Sequence, residues 1–97
     1  MKIPSKINIL GCEIPIQHCS ADEMIEDDKV KIGEFNFENV RIRLLDTLDD
    51  STKSIVLMHE IIEALNWYGD LEMDHIQIGA LGAMLHQVLT NNKLLKE

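Results

Sequence analysis

The chain has 97 residues, 45% apolar and 27% charged, which is the composition of one ordinary globular domain. Nine basic residues against seventeen acidic ones give a net charge of −8, which disfavours nucleic acid as a partner, because phosphates need a basic surface, and equally disfavours docking on anionic membranes. No apolar run approaches the roughly 20 residues of a bilayer span. The opening MKIPSKINILGCEIP is interrupted by Asn8 and prolines with no cleavage pattern after it, so a cytoplasmic protein is expected.

The first half of the chain reads as strands. Residues 7–18 alternate in part, with Ile7 and Ile9, then Ile14 and Ile16 after a break at Gly11. Pro15 has no N–H, which makes this an edge or bulged strand. Cys12 and Cys19 lack the C-x-x-C spacing of redox or zinc-ribbon sites and are expected to be thiols. His18 beside Cys19 is a poor metal pair, because neighbours in a strand point to opposite faces. Residues 19–29, rich in acids and without apolar period, read as a solvated loop with room for a short helical turn. Residues 30–37 alternate through Val30, Ile32, Phe35 and Phe37, and residues 40–45 through Val40, Ile42 and Leu44, with Arg41 and Arg43 on the opposite face. Glu38-Asn39 between them fits a tight hairpin turn, since Asn tolerates positive φ.

The second half reads as two helices. Asp49, Asp50 and Ser51 are good N-caps for a helix over about 50–68. Its apolar stripe runs through Ile55, Met58, Ile62 and Leu65, and Gly69 supplies the stop. A second helix over about 74–91 starts at Asp74 with Gln77 as a capping box, and Ile78, Leu81, Leu85 and Val88 are expected to face the core. Gly79 and Gly82 weaken that helix unless another backbone comes close. The sum is a single α+β domain over 1–97: a three-stranded, mainly antiparallel sheet packed on an antiparallel helical hairpin.

The chemically pointed run is His59-Glu60-Ile61-Ile62-Glu63. An i, i+4 pair lies about 40° apart around a helix and about 6 Å along it, so His59 and Glu63 can aim at one metal ion. Glu60 lies about 100° from His59, at the position where a zinc-peptidase helix carries the glutamate that serves as general base. Here a carboxylate replaces the second histidine of H-E-x-x-H, lowering the charge of the site and making bound water less acidic. In a chain with this many His and Glu the pattern arises by chance with a probability of about 0.03. The competing reading makes Glu60 and Glu63 solvated surface acids and His59 a half-buried histidine. His75, at the first turn of the second helix, can approach Glu63 if that helix folds back. Glu72 in the turn is a rival ligand. His86 lies about 16 Å further along the second helix and is expected to be exposed, as His18 is expected to be structural or exposed.

Residues 51–92, with VRIRLLD before them, HEIIEAL in the first helix, DLEMDH in the turn and LHQVL in the second helix, resemble small phage and prophage proteins related to the ImmA/IrrE-type zinc metallopeptidases. The resemblance covers about residues 30–92. It implies a minimal zincin-like fold and Zn²⁺ held by His59, Glu63 and His75. Glu60 would be the general base, a peptide or protein the substrate, and the host-cell cytoplasm the location. Two positions depart from the pattern: Glu63 replaces the histidine of most active members, and His86 stands where relatives often carry tyrosine. In the peptidase reading the strand VRIRLL, at a sheet edge, pairs an extended peptide with Arg41 and Arg43 flanking it. The alternative is a catalytically inactive relative that acts as an interaction or dimerisation module. It would use the small residues Gly79, Gly82 and Ala83 and an exposed Trp67-Tyr68 pair, with a basic protein or a second copy as partner.

Overall fold

The computed structural model describes residues 2–95. The segment expected to form one broken strand is a hairpin, β1 (Lys6–Ile9) and β2 (Cys12–Cys19), paired antiparallel with Ile9 opposite Cys12. Its two-residue turn places Leu10 at φ 50° and Gly11 at φ 84°, the doubly positive backbone that matches strand twist. The Gly11 N–H donates to Asn8 Oδ1 at 2.9 Å. Gly11 therefore ends one strand and starts another.

After β2, a short 3₁₀ turn (Ala21–Met24) leads into a two-stranded ribbon, β3 (Ile25–Glu26) and β4 (Lys29–Val30). Asp27 and Asp28 turn it at φ 53° and 62°, which the short Asp side chain tolerates. The acidic segment thus contains a helical turn as expected, and also a ribbon that its composition hides. Met24 is buried there with Cys19 and Leu45 in a small second core.

β5 (Gly33–Asn36) and β6 (Arg41–Leu45) form the next antiparallel hairpin, and β6 also pairs parallel with β2, Ile16 opposite Ile42. The sheet is thus four-stranded and mixed, in the order β1-β2-β6-β5, where a three-stranded and mainly antiparallel sheet was expected. Pro15 sits inside it without loss. The Ile16 N–H donates to the Ser5 carbonyl at 2.9 Å, so by alternation the Pro15 nitrogen faces away from β1, and the ladder to β6 begins only at Ile16. In the β5–β6 loop the positive φ falls on Val40, at 49°, and not on Asn39. Asn36 Oδ1 holds that loop by accepting from the N–H groups of Glu38 and Asn39, and Val40 packs against the core.

α1 (Asp50–Gly69) and α2 (His75–Asn91) follow the expected bounds within a residue or so. Asp49 accepts from the Thr52 N–H at 2.7 Å as N-cap of α1. At the other end Gly69 is still helical and Asp70 takes the left-handed position at φ 49°. The Asp74–Gln77 capping box of α2 is present in full.

The main core lies between the sheet and α1, where Ile14, Ile42, Leu44 and Leu57 are almost completely enclosed. Each such side chain contributes about 1.5–3 kcal/mol of burial. α1 is covered on two sides, by the sheet and by α2, so its buried set runs Ser54, Val56, Leu57, Met58, Glu60, Ile62 and Ala64. Ile55 and Leu65, expected inside, are exposed. α2 buries only Ile78 and Gly82; Leu81 and Val88 face outward, against expectation. Among the described residues no helix is long and apolar enough to cross a membrane.

Candidate metal centre

The i, i+4 register of α1 brings His59 Nε2 to 3.5 Å from Glu63 Oε1. The chain then reverses through Asp70–Asp74, with Asp70 and Glu72 both at positive φ. Asn66 clamps this turn: its Oδ1 accepts from the Met73 N–H at 2.9 Å, and its Nδ2 donates to the Met73 carbonyl at 3.4 Å. The clamp fixes where α2 begins, and the first residue of α2 is His75. Its Nδ1 lies 3.8 Å from Glu63 Oε1, and its ring stands edge-on to that of His59 with centroids 5.6 Å apart.

His59, Glu63 and His75 thus each offer one donor atom, all within 4.8 Å of one another. Two imidazoles and a carboxylate are a zinc-type donor set, and tetrahedral zinc with bonds of about 2.0–2.1 Å holds its ligands about 3.4 Å apart. The two contacts through Glu63 are close to that spacing. The His75 side chain is 85% exposed, so it can rotate inward without displacing core atoms. Glu72, the rival donor, lies outside the group.

Close approach of the two helices depends on small residues. A Cβ on Gly82 would stand 3.3 Å from His59 Cα, and one on Gly79 would touch the His59 ring at 4.0 Å. The expectation of close backbone contact holds at Gly82, where the backbone is that of α1 in the same chain, whereas Gly79 meets only the His59 side chain.

Glu60 points the other way, toward the sheet. It is only 7% exposed. Burial pushes its carboxyl up to about 7, with the nearby negative charge of Glu63 adding to the rise; the Phe35 amide and the Lys31 ammonium pull partly back. The room for this carboxylate comes from Gly33 in β5, where a Cβ would fall 2.4 Å from Val56 Cγ1 and 3.0 Å from Glu60 Oε2. His59, Glu60, Glu63 and His75 share a cavity of about 650 Å³ whose far wall is Val30–Phe35.

That wall runs from the end of β4 through Lys31 and Ile32 into β5, the edge strand of the sheet. The Leu45 N–H donates to the Ile32 carbonyl, so by antiparallel alternation the N–H and C=O groups of Gly33 and Phe35 point away from β6. β6 itself is interior, which corrects the expectation that VRIRLL forms the edge. Arg41 and Arg43 do not flank the cavity. Arg43 binds Glu34 through Nε and a terminal nitrogen, both at 2.9 Å, and donates to the Glu23 carbonyl at 3.1 Å. Lys31, which lines the cavity, pairs with Glu26 and lies 4.0 Å from Glu34.

The other singled-out residues fall elsewhere. His86 is half-buried instead of exposed, with Nε2 2.6 Å from the Oγ of buried Ser54. His18 is exposed, 3.1 Å from Lys53 Nζ. Both cysteines are free, Cys12 half-buried and Cys19 buried. Trp67 is exposed and stacks on Phe37 with centroids 4.0 Å apart, whereas Tyr68 packs against the main core. No family model, curated protein or solved structure matches the chain.

Proposed function

We propose that this chain is a zinc-dependent, metallopeptidase-like hydrolase, the activity that the ImmA/IrrE resemblance implies. The observation that carries this reading is the pairing, in one cavity, of the His59-Glu63-His75 donor group with a buried carboxylate, Glu60, that titrates near neutrality. His59, Glu63 and His75 hold the metal. Bound zinc supplies a Lewis acid that polarises a carbonyl and acidifies water. Glu60 accepts a proton from water in the cavity and returns it to the departing amine, and its burial, which raises its carboxyl above the ordinary carboxylate range in the metal-free chain, favours the uptake.

The outward N–H and C=O groups of Gly33 and the C=O of Phe35, whose own amide serves Glu60, offer an extended peptide a strand to pair with, beside the donors. That edge supports a peptide or protein substrate. The high negative charge agrees with a substrate other than nucleic acid.

Elemental analysis of protein purified without a polyhistidine tag tests the reading. One zinc per chain is expected at neutral pH, lost in His59→Ala and retained in Glu60→Gln. Cleavage of unfolded casein is expected from the wild-type chain and absent from both variants. A chain without bound zinc, even after zinc is supplied, overturns the proposal.

A further inference from the structure

α2 turns a second face outward, away from α1. Between Asp74 and Lys93 the sequence contains no Asp, Glu, Lys or Arg, although the chain is 27% charged and eighteen such residues would carry about five charges at that frequency. The gap is not explained by burial. Ile76 is 81% exposed and Met84 59%, and Ala80 and Ala83 are exposed with them. Solvated helix faces ordinarily carry charge opposite the apolar stripe. This helix is therefore built to be covered on both sides, and one side has no cover within the chain.

We propose that the outward face of α2 is the contact between two copies of this chain. Ile76, Ala80 and Met84 recur at i, i+4 and i+8 and form one ridge, large-small-large. A twofold axis through Ala80 sets Ile76 of one copy against Met84 of the other and lets the two helices meet at the alanines. The contact is self-complementary, as a twofold interface requires. Charge selects the same partner. Two chains of net charge −8 repel over most of their surfaces, and α2 is the helical face on which they meet without opposing carboxylates. Another exposed apolar patch, the Phe37–Trp67 stack, has Glu38 and Asp70 close by in the chain, so copies meeting there would bring carboxylates into the contact. A single helix face is smaller than the roughly 800 Å² per partner of a standard interface, so the association is weak and concentration-dependent.

Sedimentation of the full chain, from low to high micromolar concentration, tests this. The expected mass rises from 11.1 kDa toward about twice that value. Raising the salt tightens the dimer, because it screens the repulsion of like-charged copies. A chelator leaves the mass unchanged, so a failure of zinc binding does not affect the result. Ala80→Glu and Met84→Glu should each weaken association at least tenfold with unchanged helical circular dichroism. Leu71→Glu, on an exposed apolar residue outside α2, should leave it intact. A wild-type chain that stays at 11.1 kDa throughout overturns the proposal, as does a dimer that survives Ala80→Glu or loosens with salt.

Discussion

Glu60→Gln should make the metal-free protein more stable above neutral pH and leave it unchanged in acid. The Glu60 carboxyl is raised from 4.5 to about 7, chiefly by burial. Below pH 4.5 it is protonated whether the chain is folded or unfolded, and contributes no difference. Between 4.5 and 7 the folded state holds a proton that the unfolded state releases, so stability falls as pH rises; above 7 the folded chain carries a buried carboxylate at full cost. That cost is about 3 kcal/mol, from 1.36 kcal/mol for each tenfold change in the proton equilibrium. Glutamine keeps the shape and removes the charge, at a smaller cost for its buried amide. The gain at pH 8 should be about 2–3 kcal/mol, and in a domain of this size each kcal/mol moves Tm by about 4–8 °C. The assay is urea unfolding of both proteins in chelator at half-unit steps from pH 4 to 8.5. Two stability curves running parallel across pH 5–8 would show that Glu60 is not held as a buried, reluctant acid, and the assignment of the general base would fall with it.

Gly33→Ala should cost about 1–3 kcal/mol by overpacking, because its Cβ would lie 2.4 Å from Val56 Cγ1; thermal unfolding reads the loss, and an unchanged Tm would mean that β5 is free to move off α1. His75→Ala should weaken zinc binding at least tenfold in a competitive chelator titration while leaving Tm in chelator unchanged, since its side chain is largely exposed. Asp49→Ala should cost about 1 kcal/mol through loss of the N-cap bond to Thr52, measured by urea unfolding.

Local signals carried much of this molecule into the sequence. Asp49 and the Asp74–Gln77 box mark both helix starts, and each does so through a side chain a few residues from its target. His59 and Glu63 are joined by helix period, and His75 needs only a short turn to reach them, so the donor group was legible too. Long-range pairing was not. The second partner of β2, after β1, is β6, 26 residues on at Ile16–Ile42, and nothing in either segment encodes that choice. Once β6 is interior, the edge passes to β5, and the cavity wall moves from Arg41 and Arg43 to Gly33 and Phe35. The α1 stripe misplaced Ile55 and Leu65 because a helix covered on two sides has two inward faces, the one toward the sheet accepting Glu60 and the one toward α2 accepting Ser54. Gly11 looked like an interruption because Leu10-Gly11 lacks the Asn-Gly signature of a hairpin. Val40 carries the left-handed conformation against its own preference because it packs on the core.

The donors and the base rest on parts of the fold with different reach along the chain. The three donors sit on one helical hairpin and span seventeen consecutive positions, so the cage is a local construction. The shelter around Glu60 is borrowed from Gly33, 27 residues earlier, and β5 stays in position only while the sheet does. A local shift of β5 would strip the shelter and leave the three donor side chains where they are, with a carboxylate returned to the acidity of any glutamate in water.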